Sequence, residues 1–388
     1  MQRTEQTALA ERPIRSRRGL PRLVRGDGDE GSDALLDLRH AREAGLDRVG
    51  RRRLAGEQSI DQRHCTGSFN LRRAERRTRV TCPSFRGGPR FVVDWSEQTL
   101  RSLLFAPGNH PRRLEKVGTF GADAIVLDLE DAVADAEKTA ARSSTRAALP
   151  TYDDRTVVMV RVNSITTGRA AADVAAVICD DLDCILVPKI EAPEVLVELE
   201  RIVAAAERDA GLAEGSVRMI ALVETAKGLI RVEEICAAAT ERVITVGFGA
   251  GDFSTDLGID LTADARELLY ARSRIVVAAR AAGLAAPIDG PFLELQDFES
   301  LHVDTLHSRQ LGFQGRVVVY PPQLEHVHRA YSDLPEAEVE FARQIVEGFE
   351  EAEANGIASI QIGGRFVDYP IYHRARKKLR LYEALHRD

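Results

Sequence analysis

The sequence predicts a (β/α)8 TIM barrel with a C-terminal helical extension. From Trp95 onward, short apolar segments of strand length alternate with amphipathic segments of helix length. Eight such units occupy about 230 residues, which matches a (β/α)8 barrel in number and in length. A doubly wound open sheet is the alternative, but no glycine-rich fingerprint follows the first strand. The barrel is therefore the favoured fold class.

The eight predicted strands are rich in the aliphatic and β-branched residues that suit a buried parallel sheet. In chain order they cover residues 101–107, 122–130, 156–163, 183–191, 218–224, 242–249, 286–292 and 315–321. Amphipathic helices are predicted between them, for example over 192–211 and 265–283. Residues 335–356 predict one more long helix, and a glycine-containing turn and a final helix follow it. We therefore assign 95–332 to the barrel and 333–388 to the extension.

Charge is distributed unevenly along the chain. Residues 1–90 contain 21 Arg, no Lys and 12 acidic residues, a formal charge of +9, whereas the net charge of the whole chain is −7. Residues 1–94 show no sustained periodicity and no set of aromatic residues for stacking on bases. We expect this segment to be disordered, or to be upstream sequence translated from an early start codon. Its acidic residues argue against a mitochondrial presequence, and nucleic-acid binding is the weaker interpretation.

Membrane insertion and a disulfide framework are not expected. No run of about 18 apolar residues is present, and the first residues lack the apolar core of a secretory signal. The five cysteines form no CxxC pair and are odd in number, which favours small buried thiols in a reducing compartment. The sequence thus predicts a cytoplasmic protein.

Two carboxylates follow neighbouring predicted strands. Glu224 ends "RMIALVE" and Asp252 follows "RVITVGFGAG". Because catalytic groups of such barrels gather at the C-terminal strand ends, both can face one site. Oxygen ligands without His or Cys favour Mg²⁺, with Mn²⁺ also possible. The alternatives are that Glu224 caps a helix or pairs with Lys227 and that Asp252 caps the next helix, and Asp256 is expected to be a surface or capping acid.

Several further polar residues occupy strand ends. Arg161 closes a buried strand and needs a partner, either a substrate carboxylate or keto-acid oxygen or the acids of "DLED". Glu130 and Asp131 are expected to hold metal-bound waters or to fix Arg161. Arg101 opens the first strand and is either a phosphate or carboxylate contact or an ordinary surface arginine. Lys189 follows "VP" and could be mistaken for a Schiff-base lysine, but nothing nearby in the sequence marks it as desolvated. An ion pair with a nearby acid is the alternative.

Nine ordered segments carry a resemblance to a known family. They are "RSLLFAPGN", "AIVLDLEDAV" with Lys138 and Arg142 downstream, "VRVN", "LVPKIE", "VETAKGL", "GFGAGDFSTDLG", "AARAAGLAAPIDGPF", "LGFQGRVVVYPPQ" and "GGRFVDYP". Together they resemble the citrate lyase β-subunit and malyl-CoA lyase family, CoA ester lyases built on the phosphoenolpyruvate/pyruvate type of TIM barrel. The resemblance spans residue 100 to the end and covers none of the first 90 residues.

This resemblance implies Mg²⁺-dependent, reversible cleavage of a 3-hydroxyacyl-CoA thioester into a 2-keto acid and acetyl-CoA. Malyl-CoA, citramalyl-CoA and citryl thioesters are the substrates it suggests. It implies Glu224 and Asp252 as metal ligands, with Glu224 also touching substrate, and Arg161 as the catalytic, substrate-binding arginine. By the same resemblance, Asp368 is an acid contributed by a neighbouring subunit of a homotrimer or homohexamer. Tyr320 departs from the family pattern, which usually has a histidine or similar residue there.

Two alternative enzyme functions keep the same fold. One is a class II metal-dependent aldolase that acts on free 2-keto acids without a thioester. The other is a metal-binding subunit of a citrate lyase complex that is inactive alone. Turnover without a thioester would indicate the first, and activity that appears only with partner subunits would indicate the second.

Overall fold

A computed structural model describes Val93, Trp95, Gln98 and residues 100–385. Eight parallel strands close into a barrel in sequence order, each paired with its neighbours in the chain and β1 paired with β8. The predicted (β/α)8 barrel is confirmed, and each strand is shorter than predicted. The strands are β1 Ser102–Pro107, β2 Ala124–Asp128, β3 Val157–Arg161, β4 Cys184–Val187, β5 Arg218–Val223, β6 Val243–Phe248, β7 Ile288–Asp289 and β8 Gly315–Val318. Apart from Val93, the predicted Arg-rich segment 1–94 lies outside the described residues.

Helices surround the barrel, and two of them belong to the extension. No helix among the described residues is long and apolar enough to cross a membrane. The bounds are α1 Pro111–Val117, α2 Lys138–Ala148, α3 Ala170–Val177, α4 Pro193–Asp209, α5 Ala226–Ile230, α6 Val232–Ala237, α7 Ala250–Leu257, α8 Leu269–Ala281, α9 Phe298–Leu311, α10 Gln323–Ser332, α11 Glu336–Ala354 and α12 Tyr369–Leu385.

Alternation along each strand separates two apolar cores. On β5, Ile220 and Leu222 belong to the cluster inside the barrel, whereas Met219, Ala221 and Val223 belong to the cluster under the helices. Both faces of the strand are buried, as expected for a parallel barrel strand. The same period of two sends the next residue in the inner row, Glu224, towards the barrel interior.

The extension has a small core of its own around Phe349, Val367 and Tyr372. Between α11 and α12, an antiparallel hairpin joins β9, Ile360–Ile362, to β10, Arg365–Val367. The predicted turn is therefore the tip of a hairpin. Gly363 and Gly364 both have positive φ, 55° and 78°, a combination that suits a two-residue hairpin loop.

Candidate active site

A cavity of about 250 Å³ opens among the C-terminal strand ends. Four charged side chains and a larger set of apolar residues surround it. The charged residues are Asp131, Arg161, Glu224 and Asp252. The apolar side chains are Leu103, Phe105, Leu186, Ile220, Leu222, Phe248, Ile288, Pro291, Val317 and Val319, and Gly247, Gly249 and Gly251 complete the wall. The structure thus brings the predicted metal pair and the predicted arginine together in one cavity.

Glu224 is buried, and its Oε2 atom has no hydrogen-bond partner. Gly249 lies directly against it, so that a Cβ atom at position 249 would stand 2.4 Å from Glu224 Cγ. Burial and then the charge of Glu130 raise the pKa of Glu224 to about 8, although Arg161 acts in the opposite direction. A carboxylate with an unpartnered oxygen in this position requires a proton or a cation.

Neither alternative interpretation of Glu224 fits the structure. The N-cap of α5 is Thr225, whose side chain accepts a hydrogen bond from the backbone N–H of Gly228. Lys227 pairs with Glu191, at 2.9 Å from Nζ to Oε2. Glu224 is therefore left facing the cavity.

Asp252 lies in the first turn of α7, whose N-cap is Gly249, so the capping alternative is wrong. Its side chain is 40% exposed, and Lys189 Nζ lies 3.5 Å from its Oδ2. The charge of Asp252 contributes to the raised pKa of Glu224, as expected for two carboxylates that share a site. Asp256 accepts a hydrogen bond of 2.7 Å from the backbone N–H of Ala226, which agrees with the predicted capping role.

Arg161 is fixed by Asp128, the first of the "DLED" acids that the sequence predicts as its possible partners. Its Nε and Nη2 atoms each donate a 2.7 Å hydrogen bond to one oxygen of Asp128. Burial opposes ionisation of Asp128, but Arg161 and two backbone N–H groups outweigh it and lower the pKa. Glu130 Oε2 lies 3.3 Å from Arg161 Nη1, and the guanidinium lies over the ring of Phe105. The β2–β3 register, which pairs residues 128 and 161, is the signal that could have found this contact.

Lys189 connects the acids of the cavity mouth. Its ammonium lies 2.8 Å from Glu130 Oε1 and 3.0 Å from Asp131 Oδ2, in addition to its contact with Asp252. Burial disfavours the charge, but these acids outweigh burial and raise the pKa of Lys189. The ion-pair interpretation is therefore the one that the structure supports. Its backbone φ of 53° is left-handed, a conformation that non-glycine residues adopt mainly where surrounding contacts enforce it.

The prediction for Glu130 and Asp131 needs a partial correction. Glu130 contacts both Arg161 and Lys189, whereas the ion pair of Asp131 is with Lys189. Lys138 Nζ donates to the carbonyl oxygens of Leu129 and Glu130, and so holds the backbone that carries these acids.

Arg101 does not reach this site. It precedes β1 and therefore lies at the N-terminal end of the barrel, where residues usually serve stability. Its guanidinium donates to both oxygens of Asp123 and, at 2.7 Å, to Ser332 Oγ. The prediction of a substrate contact is corrected accordingly, because parallel strands begin at the face opposite the one where they end.

Asp368 is not among the residues that line the cavity of its own chain. It precedes α12, and its Oδ1 accepts a long hydrogen bond, 3.4 Å, from the backbone N–H of Ile371. A contribution to the active site of a neighbouring subunit stays a prediction.

Comparison with known proteins gives the family. Residues 101–321 match the model of the family described as HpcH/HpaI aldolase/citrate lyase, which is more than half of the chain. The chain belongs to the HpcH/HpaI aldolase/citrate lyase family. The family that the sequence motifs indicated is thereby confirmed, as is the prediction of an enzyme of a lyase family.

Relatives within the family carry two kinds of name. Over 292 residues the chain is 38% identical to the citrate lyase subunit beta of Leuconostoc mesenteroides subsp. cremoris, covering 75% of this chain and 96% of the relative. It is 34% identical over 286 residues to a (3S)-malyl-CoA thioesterase of Cereibacter sphaeroides, covering 74% and 95%. The solved structure of CitE from Mycobacterium tuberculosis in complex with magnesium, acetoacetate and coenzyme A has a TM-score of 0.61 and 28% identity, and covers 74% of this chain and 99% of that one.

The residues present fit a magnesium ion of this family. Among the described residues, no group of three or more His, Cys, Asp and Glu side chains has the arrangement of a metal site. A pair of carboxylates nevertheless suits Mg²⁺, which commonly takes one or two protein carboxylates and completes its coordination with water and substrate oxygens. The unpartnered Oε2 of Glu224, in the space that Gly249 leaves, is the observation that supports this fit.

Proposed function

We propose that this protein is a magnesium-dependent carbon–carbon lyase that cleaves a 3-hydroxyacyl-CoA thioester into a 2-keto acid and acetyl-CoA. The observation that carries the proposal is the convergence of Glu224, Asp252 and Arg161 on one cavity. The magnesium, acetoacetate and coenzyme A bound by the M. tuberculosis relative support it.

Glu224 and Asp252 would hold the magnesium ion. The ion would polarise the keto-acid oxygen and stabilise negative charge on it. Lys189 pairs with Glu130, Asp131 and Asp252, and its positive charge reduces the repulsion among these three carboxylates.

Arg161 would donate hydrogen bonds to the oxygen on which charge develops. The two hydrogen bonds that Arg161 donates to Asp128 fix the guanidinium before substrate arrives, so little reorganisation is needed at the moment of reaction. In cleavage, a base takes the proton of the 3-hydroxyl group and the bond between C2 and C3 breaks. Its electron pair passes to the thioester as an enolate, which takes up a proton to become acetyl-CoA.

Asp368 of a neighbouring copy is our candidate for transfer of the α-proton. In its own chain it lies on the extension and is not among the residues that line the cavity. Phe366, two residues earlier in the chain, is 65% exposed and gives this segment an apolar surface. A homotrimer or homohexamer would bring this segment to a second active site.

The test is turnover of malyl-CoA, citramalyl-CoA and citryl-CoA by the full-length chain, measured as keto-acid release with Mg²⁺ and with EDTA. We expect release that EDTA abolishes and that Glu224→Gln loses. Glu191→Gln is the matched control, because Glu191 pairs with Lys227 outside the cavity and should retain activity.

Three results would contradict the proposal in different ways. Cleavage or condensation of free keto acids without a thioester would indicate a class II aldolase. Activity only after addition of citrate lyase partner subunits would indicate a component of a complex. Full activity of Glu224→Gln would remove the metal site from the mechanism.

A further inference from the structure

We propose that the barrel interior beneath Glu224 and Arg161 selects among thioesters by the substituent on the carbinol carbon. It accepts hydrogen or a short alkyl group at this carbon and rejects a substituent that carries a second carboxylate. The inference rests on the proposed function. It assigns the keto-acid product to the short monocarboxylates, glyoxylate and pyruvate, rather than to a dicarboxylate such as oxaloacetate.

Aliphatic side chains form the wall directly beneath Glu224 and Arg161. The inward row of β5 contains Ile220 and Leu222 and continues into Glu224, so the two inward residues directly below Glu224 are aliphatic. The same cavity is lined by Leu103, Leu186, Ile288 and Val317, which come from four other strands. We call these six aliphatic residues the floor.

Gly247 of β6 and Gly249, which follows β6, let side chains of the neighbouring strand pack closely against this backbone. A Cβ atom at Gly247 would stand 2.5 Å from Leu222 Cδ2, just as one at Gly249 would stand 2.4 Å from Glu224 Cγ. The side chains of Leu222 and Glu224 occupy the space that these glycines leave. The cavity is lined both by the carboxylates and by the apolar side chains beneath them.

Positive charge for a second carboxylate is lacking around this cavity. Arg161 is the one cationic side chain among the described lining residues, and Asp128 already occupies its Nε and Nη2 atoms. Lys189, at the mouth, lies within 3.5 Å of three carboxylates. Acids also outnumber the cation along the lining.

A carboxymethyl substituent would therefore meet either hydrocarbon or like charge. Moving an ionised carboxylate against an apolar wall without a partner is far more costly than burying a methyl group there. Carboxylates at the mouth would repel it instead. Hydrogen or methyl meets neither penalty, and methyl gains contact with the floor.

The experiment compares kcat/KM of the full-length chain, with Mg²⁺, for malyl-CoA, citramalyl-CoA and citryl-CoA. These carry hydrogen, methyl and carboxymethyl at the same carbon. We expect citryl-CoA to be at least about 100-fold poorer than the better of the other two. A citryl-CoA value equal to or above theirs would overturn the inference while leaving the lyase function standing.

Leu222→Ala tests the floor itself. It should extend turnover towards an ethyl substituent at the carbinol carbon, raising that kcat/KM at least about tenfold relative to the methyl substrate. Leu104→Ala is the matched control, because Leu104 is equally apolar and buried but belongs to the core under the helices. An equal change of the ratio in both variants would contradict a role of the floor.

Binding of the products separates failure of the inference from failure of the proposed function. With Mg²⁺, pyruvate should raise the Tm of the wild-type protein more than oxaloacetate does at equal concentration. If no thioester is cleaved, the lyase proposal fails. The difference in Tm between pyruvate and oxaloacetate would still support or overturn the proposed selection against a second carboxylate. Stronger protection by oxaloacetate would overturn it.

Discussion

Two charge clusters in the same barrel, one buried and one at the cavity, follow opposite rules. At β7 and β8, Arg272, Asp289, Asp304 and Arg316 form a network of two cations and two anions. At the cavity, Arg161 and Lys189 face five carboxylates. These are Asp128, Glu130, Asp131, Glu224 and Asp252. The first cluster is balanced in charge, and the second has a surplus of negative charge.

The balanced network lies at β7, where the barrel has the fewest paired strand residues. Strand β7 has two residues, with one residue pair to β6 and two to β8. Arg272 bridges Asp289 at 3.0 Å and Asp304 at 2.7 Å, and Arg316 reaches Asp304 at 2.8 Å. All four side chains are almost fully buried, so each charge is neutralised by its partners in the network and not by solvent.

The unbalanced cluster has unused binding capacity. Glu224 keeps an unpartnered oxygen in the cavity, and no cation within the described residues neutralises the whole set. Burial of charge therefore does not by itself mark a functional site. A surplus of one sign with an unpartnered atom does, because such a site gains free energy from a ligand.

The largest effect should come from breaking the balanced network. Arg272→Met leaves Asp289 and Asp304 buried with one arginine between them. We expect the free energy of unfolding to fall by about 3–5 kcal/mol, measured by urea titration. Arg274→Met is the control, because Arg274 pairs with Glu233 at the surface. A similar loss in both variants would contradict the structural importance of the network.

At the cavity, Arg161→Lys should affect the reaction more than the fold. Lysine keeps the charge but cannot repeat the two-pronged contact with Asp128 that aims the guanidinium. We expect kcat to fall about 100- to 1,000-fold, as for loss of a contact to a developing oxyanion. A Tm within a few degrees of wild type would show that the fold is retained. Unchanged kcat would remove Arg161 from the mechanism.

The two clusters should also respond oppositely to pH. Burial opposes ionisation of Asp304, but Arg272 and Arg316 outweigh it and lower its pKa to about 2. Its stabilising contribution is therefore fully present above the unfolded value near 4 and is lost as pH falls towards 2. Glu224, with a pKa raised to about 8, binds more protons in the folded state, so without metal its contribution weakens as pH rises from about 4.5 to 8.

Urea titrations in EDTA at a series of pH values test both signs. Asp304→Asn should flatten the acid side of the stability profile, and Glu224→Gln should flatten the neutral side. A profile of Glu224→Gln that stays parallel to wild type between pH 5 and 8 would show that this carboxylate is not held in its neutral form.

The smallest effect is expected at Lys189. Lys189→Met removes one ammonium from among Glu130, Asp131 and Asp252, so repulsion among the acids should lower the Tm in EDTA by a few degrees. Mg²⁺ supplies replacement charge and should restore most of the loss. Lys227→Met is the control outside the cavity. An equal Tm deficit with and without Mg²⁺ would assign Lys189 a purely structural role.

Local pattern determined the barrel and much of its site. Alternating apolar strands and amphipathic helices specify eight βα units, because each periodicity depends only on neighbours in the chain. Glu224, Asp252 and Arg161 follow from the same pattern, since strand ends of a parallel barrel meet at one face. Only the tertiary structure decided how the side chains pair. The register between β2 and β3 pairs Arg161 with Asp128. Lys189 contacts three acids from a left-handed backbone conformation. Arg101 lies at the start of β1, and therefore at the face of the barrel opposite the cavity, where it contacts Asp123. Such contacts join residues distant in sequence, and their geometry depends on register and packing that no local window contains.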